Sequence, residues 1–193
     1  MNYCSECGEK VHISIPEGDN RPRHICNECE TIHYQNPKMV VGCIVEHDDK
    51  VLLCKRAIEP RYGLWTLPAG FMENDETTMQ AAARETIEEA GADVEITQLY
   101  TMFSLPHIDQ VYILYRAKFK EVAFAAGTES LEVDLFAEAD IPWDEIAFPV
   151  ITESLKRFFA DKKSGQFQAH HGAMLKQVED GKISFDVTVL NDL

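Results

Sequence analysis

Long apolar runs and positive charge are both scarce in this sequence of 193 residues. The sequence contains no run of 18 apolar residues, the length that a helix needs to cross a bilayer. Its first residues lack the charged-then-apolar pattern of a secretory signal. Lys and Arg number 18 against 33 Asp and Glu, which gives a net charge of −15. We therefore expect a cytoplasmic protein without broad affinity for nucleic-acid backbone or anionic membrane, since both need a basic surface.

The six cysteines fall into two groups. Cys43 and Cys54 lie in apolar, strand-like runs, which is typical of buried thiols. The other four form two Cys-x2-Cys pairs separated by 18 residues: Cys4, Cys7, Cys26 and Cys29. This spacing predicts a four-cysteine zinc site, and four thiolates would close the coordination shell of a structural Zn²⁺. The alternative is a pair of disulfides, which needs an oxidising compartment that nothing in the sequence indicates.

The segment around these cysteines is too short to fold on a hydrophobic core alone, so the metal is predicted to be its core. A turn at residues 16–20 would make it the hairpin of a zinc ribbon, with His12, His24 and His33 as surface or packing residues. Residues 35–38 mark a junction. The predicted division is a zinc ribbon at 1–35, a main domain at 36–172 and a C-terminal extension at 173–193.

The segment at residues 70–92 gathers several acidic side chains. On a helix, at about 100° per residue, Glu85, Glu88 and Glu89 fall within roughly a quarter turn of one another. Two unit charges ~4 Å apart repel by about 4 kcal/mol at an effective dielectric of about 20, so a hard divalent cation, Mg²⁺ or Mn²⁺, is expected among them. The alternative is a solvated acidic face. The opposite side is predicted to be the buried stripe: Met79, Ala83, Thr86, Ile87 and Ala90.

The ends of this helix are also predictable. Asn74 or Asp75 is expected to cap its N-terminus, with Glu76 in the first turn, and Gly91 is expected to end it in the left-handed conformation. Glu76 and Arg84 are two turns apart on such a helix and would not form a simple pair. Arg84 is therefore predicted to orient one of the metal-binding carboxylates through its two-pronged guanidinium.

The rest of the chain predicts a mixture of strands and helices. Apolar and β-branched runs predict strands at residues 39–45, 51–55, 64–67, 94–103, 111–119 and 131–137. Residues 67–70 are expected to break regular structure before the acidic helix. Residues 149–162 form an amphipathic helical pattern, and 183–190 alternate like a strand of unassigned position. This mixture favours an α/β sandwich.

Seven positions match the Nudix box, G-x5-E-x7-R-E-U-x-E-E-x-G-U with U a bulky apolar residue: Gly70, Glu76, Arg84, Glu85, Glu88, Glu89 and Gly91. The two U positions hold Thr86 and Ala92, which are weak choices. On this motif the chain resembles the Nudix hydrolases. The resemblance implies an α/β/α sandwich around a mixed sheet at residues 36–172. It also implies hydrolysis of the pyrophosphate bond of a nucleoside diphosphate linked to another moiety.

By the same resemblance Glu85, Glu88 and Glu89 hold Mg²⁺ or Mn²⁺, with the backbone carbonyl of Gly70 as a further ligand. Arg84 joins them in the predicted catalytic group. A metal bound by carboxylates can activate water and neutralise charge on a phosphoryl group.

Residues outside the box extend the predicted site. Relatives often have another metal-binding or base-like glutamate where this chain has Glu129 and Glu132; Glu132 is assigned to the catalytic group and Glu129 to substrate binding. Their alternative role is as exposed carboxylates. Arg56 and Arg61 flank the approach to the box and are candidates for contacts with substrate phosphates. Aromatic side chains that could stack on a base or a flavin, or simply belong to the core, are Trp65, Phe71, Phe103, Tyr112 and Phe148.

The substrate is suggested by similarity at residues 34–42, 63–70 and 129–132, which look like the plant chloroplast FAD and ADP-ribose pyrophosphatases. FAD cleavage would yield FMN and AMP. NADH pyrophosphatases also carry zinc knuckles, but their Ser-Gln-Pro-Trp-Pro-Phe-Pro stretch is missing from the corresponding residues 100–106.

Three alternatives remain open. The chain could be an NADH pyrophosphatase, it could remove NAD caps from RNA with the ribbon as a clamp, or it could be a non-catalytic binding protein on a Nudix scaffold. A homodimer is also compatible with the resemblance.

Overall fold

The computed structural model describes residues 1–189, which divide into one unit at Met1–Pro37 and a second that begins at Lys38. Within residues 1–189 no helix is long and apolar enough to cross a membrane. The predicted division at 35/36 and 172/173 remains a prediction.

The first unit is a small antiparallel sheet in the order β1-β2-β3, with strands Val11–Ser14, Arg23–Cys26 and Ile32–His33. The turn between β1 and β2 is closed by a hydrogen bond from the Asp19 amide to the Pro16 carbonyl, 3.1 Å long. The Asp19 carboxylate accepts a hydrogen bond of 2.8 Å from Nε of Arg23, the first residue of β2. This is the hairpin that the residues between the two cysteine pairs predicted.

Nine strands of the second unit form one mixed sheet: β4 Lys38–His47, β5 Lys50–Arg56, β6 Trp65–Thr66, β7 Ala69–Phe71, β8 Val94–Leu105, β9 Gln110–Phe119, β10 Ser130–Ala137, β11 His170–Glu179 and β12 Lys182–Val189. The main order is β10-β5-β4-β9-β8-β11-β12, with β6 beside β5 and β7 beside β4. The β4–β9 and β8–β11 pairs are parallel, and the other pairs are antiparallel.

Two helices, α1 at Thr78–Ala90 and α2 at Pro149–Ser164, cover the two faces of this sheet. Alternate residues of β4 point to opposite sides, so that Val41 joins the core under α1 while Ile44 joins the core under α2. The apolar side of α2 is buried as its sequence predicted: Ile151, Leu155, Phe158 and Phe159. The expected α/β/α sandwich around a mixed sheet is confirmed.

Two parts of the sheet differ from the sequence expectation. Residues 67–70 were expected to be irregular, but β7 begins within them and pairs Gly70 with Val41 and Ala69 with Gly42. A Cβ at Gly42 would overlap the Pro68 carbonyl and Ala69, so a glycine is what allows this close approach.

Strand β11 was not predicted, and it crosses the proposed boundary at 172/173. Its sequence alternates weakly between apolar and polar residues, and only its first part pairs with β8, from His170 to Ala173. The predicted strand at 183–190 corresponds to β12, except that Leu190 lies outside the described residues, as do the last three positions of the proposed extension.

Candidate functional site

Helix α1 begins one residue after Thr77, which caps it. The Thr77 hydroxyl accepts from the Gln80 amide at 3.2 Å, and the Gln80 side chain accepts from the Thr77 amide at 2.8 Å, a capping box. The prediction of an Asn74 or Asp75 cap is therefore wrong. Asp75 instead takes a left-handed φ of 66° in the turn before the helix. Gly91 ends the helix with a φ of 59°, as predicted.

The predicted buried stripe of α1 is confirmed at Thr86 and Ala90 and wrong at Met79 and Ile87, while Ala83 is partly buried. Met79 and Ile87 are 49% and 50% exposed, whereas Glu85 and Glu89 are buried. The helix meets the sheet through Ala81 and other small residues, whose size lets it approach β4 and β7 closely. Two of the three clustered carboxylates are thereby removed from water. An unpaired charge is costly in the protein interior.

Glu85 lies directly against the backbone of Gly70. A Cβ at position 70 would overlap the Glu85 carboxylate, so only glycine leaves room for that carboxylate beside β7. Carboxylate and backbone carbonyl oxygens are the hard donors that Mg²⁺ and Mn²⁺ prefer, and the Glu85 carboxylate lies beside Gly70, whose carbonyl is the predicted further ligand. The residues present therefore fit a divalent metal.

Arg84 connects three acidic side chains. Its guanidinium donates twice to Glu76, from Nε at 3.0 Å and Nη2 at 2.8 Å, because Glu76 lies before the helix and can fold back onto it. Nη1 donates to both Glu85 Oε1 at 2.8 Å and Glu88 Oε2 at 2.9 Å. The hydrogen bonds from Arg84 lower the pKa of the Glu76 carboxyl to about 2. Arg84 thus contacts two predicted metal ligands, and it also pairs with Glu76, which the helical spacing had argued against.

Glu89 has no arginine partner of this kind. Its Oε2 accepts a hydrogen bond from the Ala69 amide at 2.9 Å. Burial raises the pKa of Glu89 to about 7, against the lowering effect of this hydrogen bond. Burial likewise raises the pKa of Glu85, against the hydrogen bond and charge of Arg84. Burial therefore favours the neutral form of both carboxyls in the metal-free protein, and a bound cation would favour the charged form.

The three glutamates of α1 do not converge as closely as the cysteines of the first unit. Among residues 1–189, the cysteines form the one group of at least three candidate ligands whose donor atoms all lie within 4.8 Å of one another. Between Glu85 and Glu88 lies Nη1 of Arg84, a singly charged group in contact with both.

The predicted substrate residues have different surroundings. Arg56 is buried, donates from Nε to the Pro60 carbonyl at 2.9 Å, and lies 5.2 Å from the centroid of the Phe148 ring. Its positive charge lowers the pKa of nearby Glu89. Arg61 is exposed, with a φ of 72° in the loop between β5 and β6.

The aromatic candidates separate by exposure. Phe71 is 50% exposed, and its carbonyl accepts from Arg84 at 3.2 Å. Trp65 is only 7% exposed, with its ring 4.8 Å from that of Phe136, so it belongs to the core. Phe103 and Tyr112 are buried in the same core.

The two outer glutamates face different neighbours. Glu132 is exposed and pairs with Lys55 at 2.8 Å on the adjacent strand. Glu129 is exposed, and its charge raises the pKa of both Glu85 and Glu89, so its carboxylate lies within electrostatic range of the α1 cluster. Sequence reasoning missed Gly127, which lies against the end of α1; a glycine in a loop carries no signal that separates it from an ordinary turn residue.

The four cysteines of the first unit form a compact group. The Sγ atoms of Cys4 and Cys29 are 3.7 Å apart and those of Cys7 and Cys26 are 3.4 Å apart. A tetrahedral Zn²⁺ with bonds of about 2.3 Å separates its sulfurs by about 3.8 Å, so this group fits zinc. His33, expected to be a surface or packing residue, places Nε2 3.3 Å from the Cys4 sulfur.

Two family models match this chain. The Nudix N-terminal zinc-ribbon family model matches residues 2–35, and the NUDIX domain model matches residues 36–169. The crystal structure of a NUDIX hydrolase from Nitrosomonas europaea is similar, with a TM-score of 0.88, 60% identity, and coverage of 91% of this chain and 100% of that one.

Two relatives have different named activities. An NAD-capped RNA hydrolase NudC of Vibrio atlanticus is 36% identical over 96 residues, 49% of this chain and 33% of that protein. An ADP-ribose pyrophosphatase of Methanocaldococcus jannaschii is 32% identical over 113 residues, 56% of this chain and 67% of that protein. The chain spans 33% to 53% of the length of the NAD-capped RNA hydrolases it matches.

Replacing Cys26 by serine should remove zinc from the first unit and unfold it, because three thiolates leave the shell open and the unit has little other core. Zinc content by mass spectrometry and limited proteolysis of residues 1–37 would measure this. Ser5→Ala, in the exposed part of the first knuckle, is the matched control. Full zinc stoichiometry in Cys26→Ser would show that the ligand set is wrong.

Glu89→Gln should make the metal-free protein more stable at alkaline pH. Because the pKa of Glu89 is raised to about 7, the parent loses stability as pH rises from about 4.5 through 7, by up to about 3 kcal/mol. The variant has no carboxyl to ionise there. Thermal unfolding of the zinc-loaded proteins without added Mg²⁺ or Mn²⁺ should therefore separate the two at pH 8 and not at pH 4.5, with Glu88→Gln as the exposed control. An equal difference at both pH values would contradict this account.

Proposed function

The chain belongs to the Nudix family of hydrolases, and we propose that it hydrolyses the pyrophosphate bond of a nucleoside diphosphate linked to a second moiety, ADP-ribose or FAD. The observation that carries the proposal is the pair of buried carboxyls, Glu85 and Glu89, with Glu85 directly beside Gly70. Burying such carboxylates lowers the stability of a fold, whereas an enzyme that hydrolyses a polyanion with a divalent cation needs carboxylates to hold that cation.

Glu85, Glu88 and Glu89, with the carbonyl of Gly70, would hold the cation, which we propose to be Mg²⁺ or Mn²⁺. When bound, it supplies charge neutralisation at the pyrophosphate and lowers the pKa of a coordinated water. Arg84 fixes Glu85 and Glu88 through Nη1. The Ala69 amide fixes Glu89 by donating a hydrogen bond to Oε2, and Glu89 would bind the cation through its carboxylate.

Residues around the cluster receive the substrate. Arg56 is proposed to contact a phosphate, because its guanidinium is buried beside Phe148 yet close enough to influence Glu89. Phe71 offers an exposed ring to a base, and Arg61 an exposed charge. Trp65 is not retained as a stacking residue because it is packed in the core.

The base-like role is assigned to Glu129 rather than Glu132. The charge of Glu129 raises the pKa of both Glu85 and Glu89, whereas Glu132 pairs with Lys55 on the exposed side of β10. A carboxylate near the bound cation can take a proton from the attacking water while Arg84 keeps the metal-binding carboxylates in place.

The adenosine diphosphate part is common to ADP-ribose and FAD. Similarity to the ADP-ribose pyrophosphatase, which extends over two thirds of that protein, supports this substrate class. NAD-capped RNA is the second candidate, favoured by the similarity to NAD-capped RNA hydrolases. The net charge of −15 opposes broad RNA binding. A cytoplasmic location and a homodimer remain predictions.

A hydrolysis panel tests the proposal directly. FAD, ADP-ribose, NADH and NAD-capped RNA are incubated with the protein and Mg²⁺ or Mn²⁺, and the products are separated by chromatography. We expect AMP with ribose 5-phosphate from ADP-ribose, or AMP with FMN from FAD, at higher kcat/KM than for NADH. Glu88→Gln should lower kcat by several orders of magnitude, and exposed Glu95→Gln should leave it unchanged. Fastest cleavage of NADH or capped RNA would favour the second candidate, and turnover of Glu88→Gln within about tenfold of the parent would contradict the metal site.

A further inference from the structure

The loop between β9 and β10, residues 120–129, is fastened to the C-terminal end of α1. The Ala125 amide donates to the Ala90 carbonyl at 2.8 Å, and the Gly127 amide donates to the Glu89 carbonyl at 3.0 Å. These bonds satisfy carbonyls that the end of a helix leaves without partners. The second of them joins the loop to the backbone of a residue whose side chain lies in the carboxylate cluster.

From this attachment the chain makes a tight turn. The Ser130 amide donates to the Gly127 carbonyl at 3.2 Å, which places Glu129 at the third position of a four-residue turn. The Glu129 carbonyl in turn accepts from the Ala57 amide at 2.8 Å, at the end of β5. The backbone of Glu129 is therefore held from two sides, by α1 through Gly127 and by β5 through Ala57.

Gly127 is required here for space rather than for conformation. Its φ lies outside the left-handed range, but a Cβ at this position would overlap the Glu88 carbonyl oxygen and come within 3.3 Å of the Glu89 Cα. Both neighbours are helix backbone, which cannot yield as the end of a flexible side chain can. Any other residue would push the turn away from α1.

We propose that Gly127 is a positioning residue, which lets the turn lie directly on the backbone of Glu88 and Glu89 and so sets where the Glu129 carboxylate stands relative to the α1 carboxylates. The inference rests on the proposed function, because it gives Glu129 a part in hydrolysis. It adds that a loop glycine, distant from any metal ligand in the sequence, determines the geometry of the site.

Gly127→Ala tests this proposal. We expect kcat to fall by about 10- to 100-fold, since a displacement of about 1 Å suffices for such a loss. KM and the calorimetric affinity for Mg²⁺ should change by less than about threefold, because the ligands on α1 stay in place. Ala126→Ser, an exposed position of the same loop, is the matched control. An unchanged kcat in Gly127→Ala, or a loss of Mg²⁺ affinity as large as the loss of kcat, would overturn the proposal.

A double-mutant cycle separates positioning from general damage. If Gly127 acts through Glu129, then adding Gly127→Ala to Glu129→Gln lowers kcat by less than about threefold further. If instead the two substitutions lower kcat by independent factors that multiply in the double variant, the added methyl group acts through the α1 backbone, against the proposal. Should Gly127→Ala fail to fold, Glu129→Asp moves the carboxylate on an unchanged backbone. A kcat equal to that of the parent in Glu129→Asp would show that hydrolysis does not depend on the position of this carboxylate.

Crystal structures of the parent and Gly127→Ala give a readout that does not depend on turnover. We expect the Glu129 carboxylate to shift by about 1 Å or more relative to that of Glu89, and coincident positions would overturn the proposal. A parent that cleaves no member of the substrate panel would refute the proposed function, while these structures would still decide what Gly127 does.

Discussion

One guanidinium among four carboxylates is the interaction around which the site is arranged. Arg84 binds Glu76, Glu85 and Glu88, but a single positive charge cannot balance them, and Glu89 is buried beyond its reach. Desolvation favours the binding of a further cation here, because charges that repel weakly in water repel several times more strongly in a protein interior. The neighbouring glycine, amide and loop contacts hold the carboxylates that we propose as the ligands of a divalent metal.

The fold provides that arrangement through close backbone approach. Gly42 lets β7 lie against β4, Gly70 leaves room for Glu85, and Gly127 lets the β9–β10 loop lie on α1. At each position a Cβ would overlap a neighbouring backbone or carboxylate. The zinc ribbon follows different physics, since its three short strands bury little and its compact part is the group of four thiols.

Much of this could be predicted from the sequence, and the failures have physical causes. Most strands of the second unit, though not β7 or β11, follow from periodicity and spacing, as do the buried side of α2 and the acidic residues of α1. The cap at Thr77 could not be predicted, because Asn74 and Asp75 are also residue types that cap helices well. The left-handed φ of Asp75, which excludes it as the cap, is visible only in the structure. The buried face of α1 was assigned to Met79 and Ile87 because hydrophobicity predicts burial, whereas small residues let the glutamates face inwards instead. The contacts of Arg56, Glu129 and Gly127 depend on chain segments far apart in sequence, which periodicity does not describe.

The most direct test of the account is to locate the metal. Crystals of the parent soaked in Mn²⁺ would be measured for anomalous scattering, which identifies manganese by its own signal. A peak is expected at coordinating distance from the carboxylate oxygens of Glu85, Glu88 and Glu89 and from the Gly70 carbonyl oxygen. Saturating Mn²⁺ with no peak among these oxygens, or with its strongest peak elsewhere in the second unit, would contradict the assignment of the carboxylate cluster as the metal centre.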